Sequence, residues 1–177
     1  ESGNFPADTK LKTVPCITYG SHCFPEYNQR GFGLIGYEDA LRVSSNTFFY
    51  QVGVGSGSKA LYDAATKLGF NQHTGVEIVI EENKGLVGNK DWADQGRGWG
   101  KPGMTPWIVE DMASASIGQS VIQVTPLQLA RAYAVFANDG YLVTPHLVEA
   151  KIDWSSKKFR KKVDIQQTTL NTIRNGL

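Results

Sequence analysis

The stretch Thr125-Pro126-Leu127-Gln128 constrains this chain more than any other four residues. A threonine hydroxyl can accept a hydrogen bond from the first free amides of a helix, and proline suits the first helical position. A glutamine three residues after the threonine completes a reciprocal capping box. Leu127, Ala130, Ala134 and Ala137 follow at helical spacing, with Tyr133 and Phe136 beside them, so a broad inward face is expected there. Asn138-Asp139-Gly140 then supplies a left-handed stop. The segment is a helix with both ends written into it, and by itself it says nothing about chemistry.

The rest of the chain divides around this anchor. From Glu1 to Phe32 it is rich in Pro, Gly, Thr and Tyr, which reads as irregular loop with one short hairpin. Tyr37 to about Val54 is helical in character, interrupted near Ser44-Ser45-Asn46, with Leu41, Phe48 and Phe49 as buried candidates. Ser58 is placed to cap a second helix carrying Leu61, Ala64, Ala65 and Leu68 and stopping at Gly69. Val76 to Ile80 reads as a short strand, Lys84 to Pro106 as a long loop, Leu147 to Ile152 as a strand and Ile165 to Asn175 as a final helix. The balance is mainly α.

With 177 residues and a formal net charge of +1, the chain fits one domain able to bury a core. Outside one short basic run Arg and Lys do not cluster beside aromatics, so a nucleic-acid binder is not indicated. The basic run Lys157-Lys158-Phe159-Arg160-Lys161-Lys162 reads as a solvated strand edge or loop, with a lipid-headgroup contact as the alternative. No apolar run approaches the ~18 residues of a membrane span. His22, His73 and His146 lack zinc-protease spacing. Cys16 and Cys23 leave three states open: free thiols, a disulfide closing a short loop, or a metal site with His22, for which no fourth ligand is spaced. No metal or other cofactor is expected.

Ser44-Ser45-Asn46 is the one pattern suited to acyl transfer. A hydroxyl can donate and accept at once and so relay a proton, and a carboxamide offers a donor and an acceptor to a peptide group. If the segment served only as a turn, the left-handed backbone would be expected at Asn46, where glycine could replace it. Other candidates fall away. Ser56-Gly57-Ser58-Lys59 and Ser155-Ser156-Lys157-Lys158 satisfy S-x-x-K, yet both follow S-x-N instead of preceding it. His73-Thr74-Gly75 mimics K-T-G but stands between Leu68-Gly69-Phe70 and Val76-Glu77-Ile78. Gly53 to Lys59 lacks phosphate-loop spacing.

Taken with Thr47-Phe48-Phe49-Tyr50-Gln51-Val52, Ile117-Gly118-Gln119, Asn138-Asp139-Gly140-Tyr141 and Pro145-His146-Leu147, these motifs resemble the transpeptidase domain of class B penicillin-binding proteins of the elongation type. The family usually carries glycine where this chain has Ser120. The resemblance implies an α+β parent of which residues 1–177 form the mostly helical middle, lacking most of the central sheet. It would run from after the S-x-x-K helix to before the K-T-G strand. It further implies Ser44 as the catalytic proton relay and Asn46 as the catalytic and substrate-binding carboxamide. The Lys84–Pro106 region would lie near the substrate groove, with Trp92 and Trp99 either lining it or pinning the loop. The partners implied are peptidoglycan stem peptides, β-lactams and a cell-wall elongation complex outside a bacterial membrane, the parent being membrane-anchored. A β-lactam-hydrolysing or β-lactam-sensing relative is the rival enzyme reading, and a non-catalytic helical interaction module the rival from another class. Helices cut from their sheet would be expected to self-associate.

The 177-residue chain is expected to form no covalent adduct with a fluorescent penicillin. A labelled band on a denaturing gel, mapped to Ser56, would overturn the dismissal of Ser56-Gly57-Ser58-Lys59.

Overall fold

A computed structural model describes residues 4–77, 81–95, 107–148, 153, 156 and 159–177. Its elements open with four short strands, β1 (Leu11–Thr13), β2 (Cys16–Tyr19), β3 (His22–Pro25) and β4 (Gly33–Ile35). Helices α1 (Tyr37–Arg42) and α2 (Asn46–Lys67) follow, then β5 (Leu86–Val87), α3 (Lys90–Asp94), α4 (Val109–Ala115) and β6 (Ile122–Gln123). The chain ends through α5 (Pro126–Ala137), β7 (Tyr141–Val143), β8 (Arg160–Lys162) and α6 (Gln167–Gly176). Among the described residues every sheet is a two-stranded antiparallel pair: β1 with β4, β2 with β3, β5 with β6, β7 with β8.

The first 32 residues hold more order than a single hairpin. Besides the β2–β3 hairpin, β1 pairs with β4 from Leu11 opposite Ile35 to Thr13 opposite Gly33. Buried Thr13 ties this ladder, its hydroxyl donating to the Gly33 carbonyl (3.0 Å) and accepting from the Phe32 amide (2.7 Å). Cys16 and Cys23 lie on one face of the hairpin, two residue pairs apart with the Ile17–Phe24 pair between them, with Cα atoms 5.9 Å apart, and are joined as a disulfide. That separation lies within the usual range for such a bridge. It resolves the three states left open by the sequence. No metal-binding cluster of His, Cys, Asp and Glu occurs among the described residues.

The long helical segment breaks where the sequence suggests, though at Gly57, whose φ of 82° and ψ of 163° split α2 into two runs. Ser58 does not act as the expected cap; its hydroxyl accepts from the Lys90 amide across to α3 (3.4 Å). The first run packs tightly on α4. A Cβ on Gly53 would stand 2.1 Å from the Ser116 Cβ, so only glycine fits this crossing. Phe48, fully buried, stacks edge-on with Tyr37 and Phe49 at ring separations of 5.1 and 5.3 Å.

The long loop read from Lys84 to Pro106 contains β5 and α3. Trp92 lies half-buried on α3 beside Gly88, whose Cβ would come 3.2 Å from its ring. Trp99 and residues 96–106 lie outside the described residues. Of the expected strand at 76–80, Val76 and Glu77 are irregular and the rest lies outside the described residues. Leu147 and Val148, expected to begin a strand, instead form a bend whose amides both donate to Glu77 Oε1 at 2.9 Å; residues 149–152 are likewise outside. From the basic run, Arg160 to Lys162 form exposed β8, with the Arg160 guanidinium 3.7 Å from the centre of the Tyr141 ring.

The capping box at α5 is formed: the Thr125 hydroxyl accepts from the Gln128 amide (3.2 Å), and Gln128 Oε1 accepts from the Thr125 amide (2.9 Å). The inward face differs from the expected one. Gln128, Ala132 and Val135 are buried, whereas Leu127, Ala130 and Ala137 are exposed. Gln128 turns the helix this way because its Nε2 donates to the carbonyls of Gln72 (2.7 Å) and Lys84 (2.9 Å), pulling a polar side chain inside. Val135 then joins Leu142 and Val163 in a small core flanked by Leu68 and Ile165.

Gln128→Ala should therefore lower unfolding free energy by about 2–3 kcal/mol, since it strands two carbonyls and the Thr125 amide. Gln128→Glu keeps the capping oxygen but points a carboxylate at two carbonyls, and denaturant melts should show it no more stable than the alanine variant.

Candidate active site

Ser44-Ser45-Asn46 is the joint between α1 and α2, and each of its residues has a separate backbone task. Ser44 follows the end of α1 in the left-handed region (φ 52°). Its amide donates to the Leu41 carbonyl (3.0 Å) and the Ser45 amide to the Ala40 carbonyl (2.9 Å), the paired bonds of a Schellman termination. Glycine normally takes that place; a residue with a Cβ held there costs about 1–2 kcal/mol. Ser45, fully buried, is the N-cap of α2, accepting from the Phe48 amide (3.3 Å). Asn46 is the first residue of α2. The left-handed residue is thus Ser44, not Asn46, which corrects the turn expectation: a helical first position has no use for glycine.

Two functional groups emerge from this joint. The Ser44 side chain is exposed and makes no hydrogen bond among the described residues. Among the described residues Asn46, half-buried, makes one long side-chain hydrogen bond, Nδ2 to the Pro25 carbonyl at 3.5 Å, which leaves its carboxamide oxygen and an N–H for a ligand. Beyond the joint, a cleft of about 580 Å³ runs along α2 between Phe49, Gly53, Ala60 and Ser116; neither Ser44 nor Asn46 lines it.

Beneath the joint lies a residue that motif reading missed. Glu26, the residue after β3, is fully buried and its carboxylate sits at the amino end of α2. Oε1 accepts from the amides of Asn46 (2.7 Å) and Tyr27 (3.2 Å). Oε2 accepts from the Ser45 hydroxyl (2.7 Å), the Thr47 hydroxyl (2.8 Å) and the Thr47 amide (3.1 Å). Burial alone would push this carboxyl's pKa up; the hydrogen bonds from Ser45, Thr47 and Asn46 outweigh it and hold it below the ordinary carboxylate range. The helix dipole favours the same charge. The buried Tyr50 phenol is raised, first by burial and then by the Glu26 charge.

The penicillin-binding protein transpeptidase domain model matches residues 1–177. The chain belongs to that family. It is 34% identical over 130 residues to the peptidoglycan D,D-transpeptidase MrdA of Acinetobacter baumannii, covering 73% of this chain and 18% of the relative. The MrdA of Haemophilus influenzae is 34% identical over 127 residues, again with 18% of the relative covered. Among solved structures, the PBP2–MreC complex of Helicobacter pylori superposes with a TM-score of 0.82 at 26% identity, covering 97% of this chain and 30% of that one. The expected fold class, the helical part of a transpeptidase fold, is borne out, and the chain spans less than a third of each of these relatives.

Of the motifs set aside, Ser155-Ser156-Lys157-Lys158 lies outside the described residues apart from Ser156, while Ser56-Gly57-Ser58-Lys59 and His73-Thr74-Gly75 are ordinary structure. Lys59 is exposed and paired with Asp63, whose hydrogen bond raises the ammonium pKa, the opposite of what a general base beside Ser56 needs. Thr74 and Gly75 give their amides to Glu82 (2.8 and 3.3 Å), so His73-Thr74-Gly75 is irregular chain tied to Glu82 and not a strand.

Because Glu26 is depressed in the folded chain, the stability it lends is complete above the ordinary carboxylate pKa and is lost as pH falls through its lower folded value. Glu26→Gln should cost about 2–3 kcal/mol at neutral pH. The gap between the two melting curves should close in acid, where the native carboxyl is also protonated; a gap independent of pH would contradict an ionised Glu26.

Proposed function

We propose that this chain carries the S-x-N part of the active site of a peptidoglycan D,D-transpeptidase that cross-links cell-wall strands through a serine acyl-enzyme. The observation that carries the reading is the joint itself. In a member of this family, an exposed hydroxyl and an open carboxamide leave one rigid helix start, the hydroxyl held in a backbone conformation that glycine would suit better. Strain retained at such a place is characteristic of functional sites. The nucleophilic serine and the K-T-G strand belong, on this reading, to sequence outside these 177 residues.

In acylation the serine attacks the carbonyl of the D-alanyl-D-alanine peptide bond, and the departing amine must receive a proton. The Ser44 hydroxyl accepts a proton on one side and delivers its own on the other. Asn46 meets the substrate's peptide group, its oxygen accepting from the amide N–H and its remaining N–H donating to a carbonyl. A β-lactam enters by the same route and stays on the serine because no amine is released. The substrate class is therefore peptidoglycan stem peptides. The parent would work at the extracytoplasmic face of a bacterial membrane, tethered there. The Helicobacter pylori PBP2, a relative of similar fold, is solved in complex with MreC, which supports an elongation complex as the partner.

Three variants in the full-length protein test this. Asn46→Ala should slow acylation by penicillin about tenfold to a hundredfold, from unpaired groups worth ~1–3 kcal/mol. Ser44→Ala should lower the limiting acylation rate while leaving the half-saturating concentration near its original value. Ser44→Gly should melt higher, gaining about 1 kcal/mol from the relieved backbone, and yet acylate as slowly as the alanine variant. Full activity in the glycine variant would reduce Ser44 to a turn residue and defeat the proposal.

A further inference from the structure

We infer that Glu26 is a positioning residue for acyl transfer: its buried carboxylate fixes where Asn46 and Ser44 stand by holding the first two residues of α2 and their cap. This rests on the reading of Ser44 and Asn46 just proposed and adds to it a residue that no motif contains.

The hydrogen-bond accounting at the joint motivates it. A helix start needs acceptors for its first amides, and Ser45 already supplies one to Phe48. Glu26 goes further. It takes the amides of both Asn46 and Thr47, together with the hydroxyls of Ser45 and Thr47, and a fifth bond comes from its neighbour Tyr27. With the Asn46 amide held at 2.7 Å, its carboxamide has only its own side-chain torsions left to vary. On the other side, Ser44 is clamped between the Schellman bonds of α1 and a Ser45 that Glu26 grips.

A fully buried charge is a poor choice for stability alone, since an apolar replacement of similar volume is often as stable. What five convergent donors provide is a single geometry, fixed along two directions by two oxygens. The carboxylate is anchored independently of the helix, because the Glu26 amide donates to the Pro15 carbonyl (2.9 Å) at the open end of the disulfide-closed hairpin. Glu26 touches no reacting atom in this scheme. It acts through Asn46, and that route can be measured.

The experiment uses the full-length protein and the time course of acylation by a fluorescent penicillin at increasing concentration, with rates expressed per titratable active site. Glu26→Gln keeps the size of the side chain but turns an amide N–H₂ toward donors. A reacting group misplaced by about 1 Å loses on the order of a hundredfold, so the limiting rate should fall about tenfold to a hundredfold. The double variant Glu26→Gln/Asn46→Ala should be within about threefold of Asn46→Ala alone, because the two residues act as one unit. A Glu26→Gln rate equal to the parent's, or losses that multiply in the double variant, would overturn the inference. A purely structural role would lower the melting temperature and the number of active molecules while leaving the rate per site unchanged. If Asn46→Ala itself acylates normally, the functional reading fails and takes this one with it. If Asn46→Ala is slow and Glu26→Gln is not, only Glu26 is dismissed. Should Glu26→Gln not fold, Thr47→Val removes one donor to the same carboxylate and enters the same cycle under the same criteria.

Discussion

One buried negative charge organises the amino-terminal half of this molecule. The Glu26 carboxylate lies where the hairpin β2–β3, the end of α1 and the start of α2 meet, and all three present donors or carbonyls to its neighbourhood. A carboxylate with no solvent access is tolerable only when its oxygens are saturated. That requirement runs both ways. The charge needs the serine and threonine hydroxyls, and the helix start needs an acceptor for amides that have no partner within the helix. Each half offsets the desolvation cost of the other.

The carboxyl-terminal half uses a neutral counterpart. Gln128 is as deeply buried as Glu26, but its amide both accepts and donates, closing the cap of α5 and holding two carbonyls far away in sequence. A charge collects donors; an amide can join a donor to acceptors. Two small cores, one around Phe48 and one around Val135, grow beside these polar anchors. Among the described residues the sheets have two strands each, and neither core has a large apolar layer to set its orientation. Polar side chains with few permitted geometries do that instead.

How much of this was legible depends on how local each signal is. The α5 cap could be read because its four residues are adjacent and the chemistry is reciprocal. S-x-N could be read because a helix of distinctive residues, Thr47 to Val52, follows immediately. Glu26 was not legible: its partners lie 19 to 21 residues away, and a single acid between Pro25 and Tyr27 has no periodicity to betray it. β1 and β4 span three residues each, too few for alternation to register. The inward face of α5 was misjudged because hydropathy assigns burial to Leu127 and Ala130, whereas hydrogen bonding assigned it to Gln128. The helix break slipped from Ser58 to Gly57 for a related reason, since a serine that looks like a cap was engaged by Lys90 instead. The two cysteines were readable only as alternatives, because a seven-residue separation suits a thiol pair and a bridge equally until the strands are paired.

The crossing of α2 and α4 sets a different kind of limit. At Gly53 the backbone of α2 approaches the Ser116 side chain at the end of α4 so closely that no second side chain fits between them. Ser116 there leads directly into Ile117-Gly118-Gln119, so the distance from the S-x-N joint to that turn is a dimension of the main chain. Side-chain substitution can usually lengthen or shorten a contact by a fraction of an ångström and so adjust a site gradually. This one has no such dial: it can be broken, but it cannot be tuned.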